Sequence, residues 1–261
     1  MMSEVAFDAD VTYKENSFTV LGETIKIWDG TNSMTSPAVA HELNEGDYYL
    51  EEVKKLGKIT PGSIILDLGT NVGITAIILA KLFPSASVIG VEALPYNYVA
   101  ALKNVRLNDV HDRVTIVCGA LTSDTTKPLP MQFSIKNPGS STGSADFYSH
   151  GSDNSKGKRE MDIWGITVDE IISHFSIKKV AFIKLDCEGC EYDVIPSLSA
   201  NALKIFKDAL VFGETHCDRM KVDPAVIEYV HDIYNGFSQT NPKWKQPTCG
   251  KDGAIKKWVP S

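Results

Sequence analysis

Positive charge is in short supply in this chain. Lys and Arg number 26 against 33 Asp and Glu, which leaves a net charge of −7. A field of that sign does not attract phosphate backbones, so nucleic acid is a poor candidate partner. Long apolar runs are also missing. The longest, Ile64 to Leu82, is broken by Asp67, Asn71 and two glycines, a mixture that suits a buried strand and helix better than a membrane span. No membrane association is expected. The first thirty residues carry acids, no basic opening and no apolar stretch of signal-peptide type, so no export signal is expected and the expected compartment is the cytoplasm. Cysteine is scarce as well. The five are an odd number in a chain of 261 residues, and reduced thiols are the default reading. No repeat and no linker between domains is visible.

What is present is an ordinary globular composition, 43% hydrophobic and 23% charged, enough to bury a full core. Phe18-Thr19-Val20-Leu21 and Ile25-Lys26-Ile27-Trp28 read as short strands around a turn at Gly22-Glu23, and 47–56 reads as a helix. From residue 63 the chain alternates. Strands at 63–68, 87–92 and 114–118 are separated by helices over 72–83 and from Pro95 to about Asn108. Strands at 180–185 and 209–213 and a helix from Asp223-Pro224 to about Tyr234 follow. Such alternation builds an α/β fold, a parallel sheet with helices on both faces. Thr167-Val168-Asp169-Glu170 has capping-box spacing and starts a further helix. Between these lies a polar stretch, 136–160, rich in Gly, Ser, Asn, Asp and Lys; it reads as a long loop that either folds over an acceptor or is a tolerated surface insertion. The tail after Gly236 reads as a hairpin closing the sheet. Residues 1–60 are expected to form an N-terminal extension that covers the substrate, and 61–261 the main domain.

Three motifs carry chemistry. In Ile64-Ile65-Leu66-Asp67-Leu68-Gly69-Thr70-Asn71-Val72-Gly73 a strand runs into an acid, two glycines and a helix. A dinucleotide turn wants a third glycine where Asn71 stands. The early acid suits a cofactor with an ammonium and no phosphate, S-adenosylmethionine, with Asp67 meeting the ammonium and Gly69 and Gly73 letting it lie on the backbone. The alternative is a plain strand-to-helix turn. Glu92 ends the next strand, 92 − 73 = 19 residues after the last glycine, where a carboxylate can accept both ribose hydroxyls. The third motif, Ile183-Lys184-Leu185-Asp186-Cys187-Glu188-Gly189-Cys190-Glu191, crowds acids at a strand tip. There Asp186 suits a sulfonium and Glu188 an acceptor proton. In Glu214-Thr215-His216, His216 is a candidate general base with Glu214 orienting it or accepting the proton itself. The bland alternative pairs Glu214 with Lys184 and leaves His216 exposed. Cys187-x-x-Cys190 is compatible with zinc or a redox dithiol, but two ordinary thiols are the simpler reading.

Together these motifs resemble the FkbM family of S-adenosylmethionine-dependent methyltransferases. The resemblance rests on Asp67 through Gly73, Glu92 with Pro95, Asn97, Asn104 and Asn108, and Lys184 through Glu191, and continues in Gly119-Ala120-Leu121, Thr167-Val168-Asp169 and Glu214-Thr215-His216. Thr70 stands where alanine is usual, and Cys187 and Cys190 where small or apolar residues are usual. The resemblance implies a Rossmann-like class I methyltransferase fold with a mostly parallel sheet of seven strands. It implies a cofactor site of Asp67, Gly69, Thr70, Asn71, Gly73, Glu92, Ala120 and Asp186. The expected reaction is methyl transfer, most often to a hydroxyl, with Asp186, Glu188, Glu214 and His216 handling the acceptor. A divalent metal on Asp186, Glu188 and Glu214 is compatible with the pattern but not demanded by it. An amide or amine acceptor, including a peptide, a nicotinamide-dependent oxidoreductase, and an inactive cofactor-binding module are the competing readings. Asn71 and the early Asp67 speak against the oxidoreductase, and the retained acids speak against the inactive module.

Overall fold

The structure is a computed structural model. It describes residues 12–30, 33–134, 158–216 and 222–235, together with 248–249 and 255–256. In chain order the elements are β1 Tyr13–Val20, β2 Glu23–Gly30, α1 Thr35–Asn44, a 3₁₀ turn at Asp47–Tyr49, α2 Leu50–Lys55, β3 Ile64–Leu68, α3 Ile74–Leu82, β4 Ser87–Glu92, α4 Pro95–Leu107, β5 Val114–Cys118, β6 Ala120–Leu121, β7 Leu129–Ser134, β8 Lys158–Ile163 and β9 Gly165–Ile166. Then come α5 Val168–His174, β10 Phe182–Leu185, α6 Glu191–Ser197, α7 Ala200–Asp208, β11 Leu210–Gly213, α8 Pro224–Asn235, β12 Thr248–Cys249 and β13 Ile255–Lys256.

Five strands form the central sheet in the order β11-β10-β3-β4-β5, every neighbouring pair parallel. Parallel strands are covered on both faces, and the sequence shows it: in β3 (Ile-Ile-Leu-Asp-Leu) every residue after Ile64 is buried, and in β10 (Phe-Ile-Lys-Leu) all four are. Helix α3 is apolar nearly all round because it is sandwiched, with Lys81 its one residue that is not buried. The chain runs outward from β3 through β4 to β5, then returns to lay β10 on the other side of β3. The carboxyl ends of β3 and β10 are therefore a topological switch point, where open α/β sheets open a crevice.

Seven strands were expected in this sheet; among the described residues five are joined. The remaining strands pair in separate two-stranded ladders: β1–β2, β6–β9, β7–β8 and β12–β13. The tail strands pair, Thr248 opposite Lys256 and Cys249 opposite Ile255, and among the described residues no ladder ties them to the sheet. The expected loop 136–160 falls mostly outside the described residues; its last positions, 158–160, belong to β8, antiparallel to β7.

The hairpin β1–β2 turns at Leu21 and Gly22, both left-handed (φ 49° and 80°), one residue earlier than expected, because a two-residue hairpin turn with that backbone matches the twist of the strands. It is fastened to α4 by two asparagines one helical turn apart. Asn104 accepts the Trp28 N–H at 2.7 Å and donates to the carbonyls of Trp28 at 3.2 Å and Val72 at 2.8 Å. Asn108 accepts the Lys26 N–H at 3.0 Å and donates to its carbonyl at 2.7 Å. The i, i+4 spacing on the helix thus matches the i, i+2 spacing of one strand face. The Thr167–Glu170 capping box forms as read, with the Thr167 side chain accepting from the Glu170 N–H and Glu170 reaching back to the Thr167 N–H.

Candidate functional site

The crevice at the switch point is an open cavity of about 270 Å³, near the lower end of the range for small-molecule sites. Three segments wall it. The β3–α3 turn contributes Gly69, Thr70 and Asn71, the β4 end and the start of α4 contribute Glu92 and Asn97, and β10 with the loop after it contributes Lys184 and Asp186 through Cys190. Ala120 and Leu121 of β6 close one side, and Val39, Glu42 and Tyr48 of the N-terminal segment close another. Of the expected cofactor residues, Gly69, Thr70, Asn71, Glu92, Ala120 and Asp186 lie on this wall, while Asp67 and Gly73 do not. Of the expected acceptor-handling residues, Asp186 and Glu188 lie on it, while Glu214 and His216 stand behind it.

Asp67 is fully buried. It meets the Lys184 ammonium at 3.5 Å, so direct contact with a cofactor ammonium is not available to it. Lys184 is the hub. Its Nζ donates to the Gly69 carbonyl at 2.6 Å and stands 3.5 Å from Asp186 Oδ2. Burial alone would push the Lys184 amine down, but Asp186, Asp67 and Glu214 outweigh it and hold it charged. Burial pushes the Asp67 carboxyl up against the pull of Lys184. The glycines are also tightly packed. A Cβ on Gly69 would lie 1.9 Å from the Asp186 carbonyl oxygen, and one on Gly73 would meet Ala101 at 3.2 Å. Both are left-handed (φ 89° and 91°). Their bareness lets the turn pack closely on the β10–α6 loop and on α4.

Glu92, expected to grip a ribose, is engaged in building the turn. Its Oε2 accepts the Asn71 N–H at 2.7 Å, and its Oε1 accepts the Leu94 N–H at 2.9 Å and the Asn97 amide at 3.2 Å. A carboxylate offers about four lone-pair sites, so acceptor capacity remains on the cavity side. Burial pushes this carboxyl up despite those donors.

Sequence reasoning missed Tyr48. Its hydroxyl donates to Asp186 Oδ2 at 2.7 Å, and burial, then the Asp186 charge, keeps the phenol well above its ordinary range and hence a donor. Tyr48 and Tyr49 are both left-handed (φ 58° and 50°), a conformation bulky residues avoid; nothing in the local sequence announces it. With Lys184, His216 and Tyr48 around it, Asp186 is held below the usual carboxylate range although burial works the other way.

His216 is buried, not exposed. Glu191 Oε1 accepts both its backbone N–H at 2.7 Å and a contact from Nδ1 at 2.9 Å. Its Nε2 faces Glu188 at 3.5 Å, Asp186 at 3.8 Å and Glu214 at 3.9 Å. Burial would push the imidazole down, but Glu191, then Glu188 and Asp186, carry it up to about 10. At neutral pH His216 is therefore an imidazolium and has no free lone pair to serve as the expected general base. Asp186, Glu214 and His216 each bring a ligand-type atom within 4.8 Å of the others; a metal ion there would have to displace the imidazolium proton.

The cysteines also depart from the reduced-thiol reading. Cys187 and Cys190 are joined as a disulfide across the β10–α6 loop. The C-x-x-C spacing was the signal. Cys118 is free and exposed.

Comparison with known proteins agrees with this geometry. The methyltransferase FkbM domain profile matches residues 67–235, the stretch that holds all three motifs. The chain belongs to the FkbM methyltransferase family. It is thus an S-adenosylmethionine-dependent methyltransferase. A curated relative, Methyltransferase 1 of Beauveria bassiana (strain ARSEF 2860), is 24% identical over 191 residues, 68% of this chain and 76% of its own. Among solved structures, an O-methyltransferase from Bacillus cereus in complex with SAH aligns at TM-score 0.44 and 17% identity, covering 87% of this chain and 88% of that one. A putative O-methyltransferase from Klebsiella pneumoniae aligns at TM-score 0.39 and 16% identity, covering 81% and 76%.

Proposed function

We propose that this methyltransferase acts on the hydroxyl of a small acceptor held between the β10–α6 loop and the N-terminal segment. The donor supplies an electrophilic methyl on a positively charged sulfur; the chain supplies position, charge and a proton acceptor. Glu92 offers its one remaining lone-pair site to a ribose hydroxyl, beside the Asn71 turn and Ala120. Asp186, kept ionised by Lys184 and Tyr48, is the counter-charge to the sulfonium. Glu188 lies on the cavity wall two residues further on and accepts the hydroxyl proton as the oxygen attacks. His216 and Glu191 hold that acid pair from behind, and Glu214 adds to the same field. Residues 1–60 act as substrate cover through Val39, Glu42 and Tyr48. Much of the acceleration comes from alignment, where effective molarity is worth roughly 7–11 kcal/mol.

One observation carries this reading: Asp186 and Glu188 share the wall of the switch-point cavity, with His216 Nε2 behind them at 3.8 and 3.5 Å. A hydroxyl must lose its proton as it is methylated, so a carboxylate has to take it. The test is transfer of an isotopically labelled methyl to matched hydroxyl and amine acceptors, with Glu188→Gln beside the parent chain. We expect labelled ether products and a loss in kcat of roughly 10²–10⁴ for Glu188→Gln with donor affinity kept. Methylation of amines alone, or an unaltered kcat in Glu188→Gln, would overturn it.

A further inference from the structure

The disulfide between Cys187 and Cys190 sits where regulation of the pocket would be most direct. Both half-cystines are on the cavity wall and half-buried, so a small dithiol entering the crevice can reach them. The pair has Cα atoms 5.4 Å apart and a separation of three residues. Between them stand Glu188 and Gly189, both left-handed (φ 55° and 103°). The bridge thus closes the tightest part of the loop around the carboxylate assigned to the acceptor proton.

A second connection runs through Glu191. Its Oε2 accepts the Gly189 N–H at 3.0 Å and lies 3.6 Å from Cys187 Sγ. A bridged sulfur has no hydrogen to donate, so in the oxidised form that approach is a contact only. Once reduced, the Cys187 thiol has a ready acceptor in the same oxygen. The other oxygen of Glu191 holds His216, whose Nε2 faces Glu188, Asp186 and Glu214. The sulfur is therefore one carboxylate away from the group that orders the acidic wall.

We propose that Cys187–Cys190 is a thiol–disulfide exchange site, and that its redox state sets the affinity of the pocket for the methyl donor. This rests on the reading of the cavity as the donor site. The reductant is a dithiol. One of its thiolates attacks a bridge sulfur, the S–S bond breaks and a mixed disulfide forms. Its second thiolate displaces the protein sulfur and closes a disulfide within the reductant. Two electrons pass to the protein and two protons follow to Cys187 and Cys190. The bridged form is the tight one, because its loop is ordered before the ligand arrives. The open form must lose that freedom on binding.

The experiment is calorimetric titration of the whole chain with S-adenosylhomocysteine after mild oxidation and after dithiothreitol. Peptide mapping with alkylation confirms the state of each cysteine. The oxidised chain should bind about fivefold or more tightly than the reduced one, the low end of typical coupling between sites. C187S/C190S should bind like the reduced chain under both treatments, and Cys118→Ser should respond like the parent. Equal affinity in the two verified states, a response that survives in C187S/C190S, or failure of the pair to bridge on oxidation would each overturn the proposal. Absence of heat in every form would instead overturn the donor-site reading, and the proposal with it.

Discussion

Replacing Glu191 by Gln tests the electrostatic centre of the site. In the parent chain the fully buried Glu191 carboxylate holds His216 protonated up to about 10, against about 6.5 for an unfolded histidine. Because the folded value is the higher one, the stabilisation is fully present below pH 6.5 and is lost as pH rises through the folded value. Between those limits the folded chain binds the extra proton, so stability falls by up to about 1.4 kcal/mol per pH unit. Glu191→Gln keeps the shape and an acceptor oxygen but removes the charge, and leaves an imidazole among carboxylates without its nearest partner. Breaking a buried pair of this kind costs on the order of 3–5 kcal/mol. We expect that loss near pH 6.5, shrinking steadily toward pH 10, where the parent has given up its advantage. Urea unfolding of both proteins at half-unit steps from pH 6 to 10 reads it directly, and the difference between the two curves cancels other titrating groups. A difference below about 1 kcal/mol near neutral pH, or one that stays flat to pH 10, would refute the charged His216–Glu191 pair and return His216 to the list of proton acceptors.

Three other outcomes follow from named contacts. Tyr48→Phe removes the 2.7 Å bond to Asp186, a charge-assisted bond worth about 1.5–3 kcal/mol; kcat/KM should fall at least about tenfold in steady-state methyl-transfer assays, and an unaltered value would remove Tyr48 from the site. Gly69→Ala forces a Cβ to within 1.9 Å of the Asp186 carbonyl oxygen, whereas Gly46→Ala, equally left-handed, meets nothing within 4 Å. Thermal unfolding should therefore fall far more for Gly69→Ala, the Gly46→Ala change costing only the backbone strain of about 1–2 kcal/mol; equal losses would show that close packing is not what demands the first glycine. Asn104→Ala strands the Trp28 N–H and the Trp28 and Val72 carbonyls, at about 1–3 kcal/mol for each buried group left unmade. Its loss by urea unfolding should exceed that of Thr167→Ala, about 1 kcal/mol for a capping residue, and the reverse order would mean the hairpin is not fastened through α4.

Elements that are long, apolar or punctuated were legible in the order of residues alone. The strands 87–92 and 114–118 match to the residue, because each is an apolar run bounded by turn residues. The helix entered through Pro95 and the Thr167 capping box were equally legible, since caps are local hydrogen-bonding chemistry. The three motifs also gathered at one sheet edge, because in a parallel sheet strand ends are the only places where chain turns and ligands meet. What lay between those strands was less legible: β7–β8 and the number of strands in the central ladder depend on pairing between distant segments, for which no period in the sequence speaks.

Tertiary structure alone decided the charge state and the roles. His216 and Glu191 are 25 residues apart, and only their contact, with Glu188 and Asp186 beside them, outweighs burial and turns a histidine that titrates near neutrality into a cation. Asp67 reads as a cofactor ligand until Lys184 closes on it from the neighbouring strand. Tyr48 reaches Asp186 from 138 residues away, through a backbone conformation that tyrosine rarely adopts. A sequence names which groups can ionise or donate; which of them do so is set by the neighbours and the water that folding brings or removes.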